Sequence, residues 1–394
     1  MAGAGWRPPV RTTPRARPIM LPSLEIKNFR MLEDFRVSKL GHVNLIVGKN
    51  NSGKSSVLEA LRIYAGNANR GLLEKIAAEH NERTRPRDPQ DGDAPFPFEE
   101  LFTGRQFPNF GEKIIIGSTA TDPAALSLGF GVRVETEETD PNGEQRTRTR
   151  LHPSAPSELD KWDGDVVAPC LLVTKGRGTA GLRLDESQPP RARPFEASGV
   201  PCSVIPTQFV SIDELANEWD KVALTDDQDT VREALRIVTP EFEGITFVRT
   251  DEGDPRAFRR AAIIKLSTFK QPVPLASLGD GMVRVLQLIL KVFPAKGGFF
   301  LIDEFENGLH FSVQEKVWTL LFGLAKLLDV QIFATTHSWD CIESFARVAR
   351  TSEAEGVLFR VGKSVRDSDR GKVIATVFDK EQLHNITQGD VEVR

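Results

Sequence analysis

The chain has few cysteines, no long apolar run and no excess of charge of one sign, and each shortage removes a class of protein. Cys170, Cys202 and Cys341 are its three cysteines in 394 residues. They lie far apart and are odd in number, which fits neither a disulfide framework nor a zinc-ligand spacing and points to a reducing, cytoplasmic setting. No stretch approaches the roughly 18 consecutive apolar residues of a membrane span. The longest runs, such as Phe299-Phe300-Leu301-Ile302, have strand length. Lys plus Arg number 51 against 55 Asp plus Glu, a formal charge of −4. That excludes a globally basic nucleic-acid coat but leaves room for a local basic face. No heptad run exceeds a few turns, so long coiled-coil arms are absent.

What remains is a globular composition, 40% hydrophobic and 27% charged, close to the soluble average. At roughly 100–200 residues per domain the length allows two domains, or one large domain with an insertion. Residues 1–20 carry four Arg, four Pro and no acid. They lack the apolar stretch of a secretory signal, and the prolines oppose a transit-peptide helix. This segment reads as a disordered extension, with Met20 as the natural start.

From Leu24 the chain alternates as a strand and hairpin. Val43, Leu45, Ile46 and Val47 form a short apolar strand, a loop follows, and residues 55–64 have helical apolar spacing. Residues 66–205 hold 14 of the 25 prolines. Short β-type runs at 113–116, 129–135 and 168–173 are separated by loops such as 82–95 and 184–197, so the region reads as an insertion of strands and loops. Beyond Ser211 come one or two amphipathic helices and two strands. A helix over 280–293, a strand over 299–303, a helix over 310–328 and a strand over 330–335 follow. Apolar strands alternating with helices predict an α/β fold with a buried, mostly parallel central sheet.

Gly48-Lys49-Asn50-Asn51-Ser52-Gly53-Lys54-Ser55 fits the G-x-x-x-x-G-K-[ST] phosphate loop, between a strand and a helix as that loop requires. Glycines permit the backbone torsions and close approach that surround a phosphate with N–H groups at a helix N-terminus. Gly48, Asn50, Asn51, Ser52, Gly53, Lys54, Ser55 and Ser56 are the nucleotide-binding candidates. Lys54 would neutralise β/γ-phosphate charge, and Ser55 would hold Mg²⁺.

Three more elements lie downstream. The apolar strand 298–302 ends in Asp303 and Glu304. Beside a phosphate loop the first acid can hold Mg²⁺ and the second can orient or deprotonate an attacking water. Ser277-Leu278-Gly279-Asp280-Gly281 opens an apolar helix; Arg284 stands where a dinucleotide motif would need a third glycine, so that reading is rejected. His337 ends a further apolar strand, where it would face the crevice in which open α/β sheets bind ligands.

In this order the elements resemble an ABC-type ATPase head of the SMC/RecF/OLD superfamily, a P-loop NTPase with an antiparallel β-rich lobe and an inserted loop/strand region. Leu24–Arg30 (LEIKNFR) matches the opening strand, Glu306-Asn307-Gly308-Leu309-His310 the D-loop, and His337 the switch histidine. Ser277, Gly279, Asp280 and Gly281 take the place of the usual Leu-Ser-Gly-Gly-Gln signature, with Asp280 a carboxylate where phosphate should be faced. The Q-loop glutamine has no identifiable counterpart, Gln106 being the one candidate. The resemblance divides the chain into 21–65 and 206–340 as the two parts of the head, 66–205 as the insertion, and 341–394 as C-terminal strands and tail.

The resemblance implies that two heads sandwich two ATP molecules head-to-tail. Each signature would then donate to the γ-phosphate bound by the other protomer, with Glu304 activating water and His337 at the γ-phosphate. A homodimer or higher oligomer follows, with no membrane partner. The 54 residues after Asp340 leave no room for the Toprim domain of OLD nucleases. The chain is thus similar to the sensor ATPases of two-component anti-phage systems of the PARIS type, which act with a separate Toprim-like nuclease. A RecF-like ATPase that binds DNA directly and a non-catalytic ATP-dependent scaffold are the alternatives.

Overall fold

The computed structural model describes residues 20–82, 97–108, 111–139, 145–162, 166–184, 199–207, 210–250, 259–366, 369, 371–378 and 382–383. The extension before Met20 and most of the loops at 82–95 and 184–197 lie outside these residues. In chain order the first elements are β1 (Leu24–Phe29), β2 (Leu32–Val37), β3 (Val43–Val47), α1 (Lys54–Ala65) and α2 (Arg70–Glu79). Next come β4 (Ile114–Gly117), β5 (Leu126–Thr139), β6 (Gln145–Pro153), β7 (Val166–Lys175), β8 (Gly178–Arg183) and β9 (Cys202–Ile205). Then follow α3 (Ile212–Val222), α4 (Asp226–Val238), β10 (Phe242–Thr250), β11 (Arg259–Leu266) and β12 (Val273–Pro274). The chain continues with α5 (Asp280–Val292), β13 (Phe299–Ile302), α6 (Phe311–Leu328), β14 (Gln331–Thr336), α7 (Trp339–Thr351), β15 (Gly356–Lys363) and β16 (Val373–Phe378).

The central sheet runs β16-β15-β3-β14-β13-β9, parallel throughout except for β16 at one edge. Its inner strands VNLIV, FFLI and QIFATT are buried at every position, because both faces are covered. Alternation sorts their side chains into two cores. Leu45, Phe300, Ile302 and Ala334 face α5, α6 and α7, whereas Ile46, Phe299, Leu301 and Phe333 face α1 and the antiparallel lobe. Two buried amides close the end of the sheet opposite the phosphate loop. Gln331 donates to the carbonyls of Leu21 and Gly41 and accepts from the Leu21 N–H, and Asn44 bonds Gly41 and Ile332. Each is a buried polar group whose partners are present, as burial requires.

The middle of the chain is more tightly integrated than its sequence indicates. β4, β5, β7 and β8 extend the β1–β2 hairpin into one antiparallel sheet, β2-β1-β4-β5-β7-β8, with β6 also paired to β5. The run at 129–135 is part of a 14-residue strand, and α2 is a helix in a stretch that reads as loops. β9, within the span assigned to the insertion, is the edge strand of the parallel sheet beside β13. The C-terminal segment is not an appendage either. A helix, α7, precedes its strand pair, and β15 lies against β3 in the middle of the sheet. Both departures have one cause: parallel neighbours are distant in sequence, so periodicity cannot show which strands pair. Among the described residues no helix is long and apolar enough to cross a membrane.

Lys175, at the end of β7, fastens the antiparallel lobe to α1. Its ammonium donates to the Tyr64 carbonyl at 3.1 Å and to Asn67 Oδ1 at 2.8 Å, and stands 3.9 Å from the Tyr64 ring centroid. A cation suits this position near the helix C-terminus, and burial pushes the ammonium down to about 8. An unfolded lysine keeps its proton to about 10.4. Between these values the unfolded chain binds the extra proton, so stability rises with pH over that window, and below pH 8, where both states hold the proton, this gain is absent. Thermal melts of the wild type and Lys175→Met should therefore diverge from pH 8 to 10, with the wild type gaining; parallel melting curves would show that Lys175 does not titrate there.

Candidate active site

β3 delivers the chain to the phosphate loop. Gly48 has φ +151°, and a Cβ there would lie 2.2 Å from the Val361 carbonyl oxygen of β15, so only glycine fits. Asn51 (φ +56°) and Gly53 (φ +107°) are left-handed and turn the backbone into α1. Lys54 Nζ donates to the carbonyls of Gly48 at 2.8 Å and Lys49 at 2.9 Å, folding the side chain back over its own loop. Burial pushes this ammonium below the ordinary lysine range, while Asp303, Glu304 and Glu306 pull it back up. Ser52 Oγ is buried with no hydrogen-bond partner among the described residues.

α1 and α5 differ from the other helices at their first turns. Asn69, Ser211, Thr225, His310 and Ser338 cap α2, α3, α4, α6 and α7 with side chains, whereas α1 and α5 begin at Gly53 and Gly279 with none. Their leading N–H groups are left for another acceptor.

β13 ends one residue before Asp303, whose N–H donates to the Ile205 carbonyl of β9 at 2.9 Å. Its carboxylate is held from both sides, accepting from the Thr335 hydroxyl at 2.6 Å and the Thr207 hydroxyl at 3.2 Å. Thr335 Oγ1 also accepts the Glu304 N–H at 2.9 Å. Glu304 has φ +48°, a left-handed backbone unusual outside glycine. In this turn its Oε1 lies 3.1 Å from His337 Nε2.

The turn is braced from behind by Arg284 of α5, 1% exposed. Its guanidinium donates to the carbonyls of Asp303 at 3.1 Å, Glu304 at 3.0 Å and Pro206 at 3.3 Å. Burial pushes this group down to about 10, and the acids Glu306, Asp303 and Glu304 oppose the shift, so it is cationic at neutral pH.

Asn50 to Ser56, Asp303, Glu304 and His337 line one open cleft of about 1160 Å³. Its far wall is supplied by Arg30, Met31, His80, Glu100, Phe102, Gly104 and Arg105. Arg30 and His80 are tied to Glu59 of α1 at 2.9 and 2.5 Å, and that hydrogen bond raises the His80 imidazole above its ordinary range. Ser277, Gly279, Asp280 and Gly281 do not reach the cleft, and the first three are exposed at the start of α5. Gln106, the Q-loop candidate, does not line it.

A Mg²⁺ ion suits this donor set: Ser55 and Asp303 both line the cleft, and the Asp303 carboxylate is fixed by two hydroxyls. Sequence reasoning missed Thr207, Thr335 and Arg284 as parts of the site. A lone arginine in the apolar run of α5 was the available signal for the last; the threonines look like ordinary strand residues.

The double use of Thr335 gives a test. Thr335→Val keeps the shape but leaves Asp303 Oδ1 and the Glu304 N–H without this partner, an expected loss of about 1–3 kcal/mol of stability. Nucleotide turnover should fall while nucleotide binding through Lys54 persists. Calorimetry and phosphate release read the two effects, and wild-type turnover in this variant would show that Thr335 does not order the acids.

Comparison with known proteins fits this geometry. Residues 20–91 match the family model described as "AAA ATPase domain", and residues 205–340 match "AAA domain, putative AbiEii toxin, Type IV TA system". An "ATP/GTP phosphatase" of Helicobacter pylori is 24% identical over 358 residues, 85% of this chain and 90% of that protein. An uncharacterized protein of Methanocaldococcus jannaschii is 47% identical over 45 residues, 11% of this chain and 20% of its own length. Among solved structures, an SMC head domain from Thermotoga maritima aligns with 92% of this chain and 100% of its own, at 15% identity and TM-score 0.42. An SMC head bound to the C-terminal winged-helix domain of ScpA aligns over 92% and 99%, at 14% identity and TM-score 0.45. The first family match carries the phosphate loop and the second the Asp303-Glu304 strand, and both strands lie in one sheet: the chain carries matches to AAA ATPase domains in two segments and is an ATPase.

Proposed function

We propose that the chain binds ATP with Mg²⁺ in the cleft above the phosphate loop and hydrolyses it as a head-to-tail dimer. The observation that carries this reading is the placement of Glu304 Oε1 3.1 Å from His337 Nε2, in the cleft lined by Lys54. Lys54 has only to leave the loop carbonyls to meet a β/γ-phosphate. Mg²⁺ between Ser55 and Asp303 would neutralise charge on the phosphate oxygens. Glu304 then accepts a proton from the water as its oxygen bonds the γ-phosphorus and the bond to the β,γ-bridging oxygen breaks, ADP leaving, while the His337 imidazole, beside it, faces the γ-phosphate and keeps the carboxylate oriented. Gly48 to Ser56 hold the triphosphate through backbone N–H groups.

Dimerisation is supported by where the signature lies. Ser277 to Gly281 open an uncapped helix on the exposed surface, outside the cleft of their own chain. A second copy can present that turn, with Ser277, Gly279 and Gly281 as donors, to the γ-phosphate. The name of the Helicobacter pylori relative, "ATP/GTP phosphatase", supports hydrolysis of a nucleoside triphosphate. In this reading the dimer is the ATP-controlled sensor or switch subunit of a nucleic-acid-related or anti-phage defence complex. Its effector is a separate Toprim-like nuclease, recruited by the change in head geometry on hydrolysis.

Two variants test it. Lys54→Ala should abolish ATP binding by titration calorimetry. Glu304→Gln should bind ATP, release phosphate at least about 100-fold more slowly, and elute as a dimer only with ATP present. Wild-type phosphate release by Glu304→Gln would remove the glutamate from its role, and a monomer under those conditions would remove the sandwich.

A further inference from the structure

The His337 ring is 37% exposed, and its hydrogen bond among the described residues is to Glu304. A side chain so lightly held takes its position from its backbone. That backbone is fixed by a third acid, Glu306, whose Oε1 accepts the N–H of His337 at 2.8 Å and of Ser338 at 3.1 Å. Ser338 also caps α7 through its hydroxyl and shares its N–H with the Thr336 hydroxyl at 3.0 Å, so among the described residues the His337 N–H is the one that Glu306 holds alone at the junction between β14 and α7.

Glu306 is itself anchored on both sides. The Phe305 N–H donates to the Thr335 carbonyl at 2.9 Å, and its buried ring stacks on Trp318 with centroids 3.8 Å apart. Asn307 donates from its side chain to the Thr207 carbonyl at 2.6 Å and from its backbone to the Glu304 carbonyl at 3.0 Å. The turn that carries Glu306 also touches the start of α5, where a Cβ on Gly281 would come within 3.3 Å of the Gly308 carbonyl oxygen.

We propose that Glu306 is a positioning residue for hydrolysis: it holds the backbone of His337, and so places the imidazole against Glu304. The inference rests on the role given to His337 above. It makes the 303–310 turn a single rigid piece that sets the water-activating acid and, through Glu306, its histidine. A second copy docking at the exposed start of α5 would press on this same piece through Gly281 and Gly308.

The chemistry of the bond separates the variants. Both N–H groups use one oxygen, and an amide oxygen can accept two hydrogen bonds. Glu306→Gln should therefore retain most turnover. Glu306→Asp keeps the charge but is one methylene too short, and Glu306→Ala removes the acceptor. Both should lower kcat by about 10- to 100-fold with KM and ATP affinity near wild type, because what is lost is placement of a reacting group.

If Glu306 acts through His337, Glu306→Asp combined with His337→Ala should be no slower than the slower single variant. Steady-state kinetics of the four proteins, with melting curves to confirm folding, make the test. Wild-type kcat in Glu306→Asp, or losses that multiply in the double variant, would overturn the proposal. Wild-type kcat in His337→Ala would instead remove His337 from the proposed reaction, and the positioning role with it.

Discussion

Parallel backbone pairing across β3, β14 and β13 is the constraint on which the site depends. Ile302 pairs with Ala334, Ala334 pairs with Leu45, and Thr336 pairs with Val47. In a parallel ladder every strand runs out on the same edge. Gly48, Asp303 and His337 are the residues immediately beyond those ends, so three segments about 30 to 290 residues apart in the chain arrive at one place. The hydrogen bonds of the ladder set their relative height, and the two cores keep the strands from sliding.

Given that register, the side chains around the edge have little freedom. Thr335, the penultimate residue of β14, serves two neighbours at once: its hydroxyl donates to the Asp303 carboxylate and accepts from the Glu304 backbone. Arg284 reaches the same turn from α5, spanning the carbonyls of Pro206, Asp303 and Glu304. Breaking such a buried charge away from its carbonyl partners is costly, so the helix that opens with the exposed Ser277–Gly281 turn and the acidic turn move together. Events at the surface start of α5 have a short physical path to Glu304.

The antiparallel lobe has a different role. β1 and β2 begin a sheet that β4 to β8 complete, and Lys175 ties that sheet to the C-terminal end of α1. The phosphate-loop helix is thus held at its far end by the lobe while its first turn stays uncapped for an anion. The lobe side also supplies Arg30 at the end of β1 and, before β4, Phe102 and Arg105 along the cleft. A segment that looked like an insertion in the sequence is a wall of the cleft above the phosphate loop.

The local chemistry was legible in the residues alone. Gly48 to Ser55 announce a phosphate loop because glycine, lysine and serine at those spacings meet steric and charge demands that neighbouring residues impose. Asp303-Glu304 and His337 could be placed because each ends an apolar run long enough to be a buried strand. What the sequence could not disclose was which strands are neighbours, since pairing between β9 and β13 or β15 and β3 leaves no periodic trace. The same holds for Thr207, Thr335, Arg284 and Glu306. Their importance comes from partners 20 to about 100 residues away, and a distant hydrogen bond has no local signature. The sequence by itself determined that a triphosphate could be held; tertiary structure decided what surrounds it, because only folding brings those donors and acceptors within hydrogen-bond distance of one another.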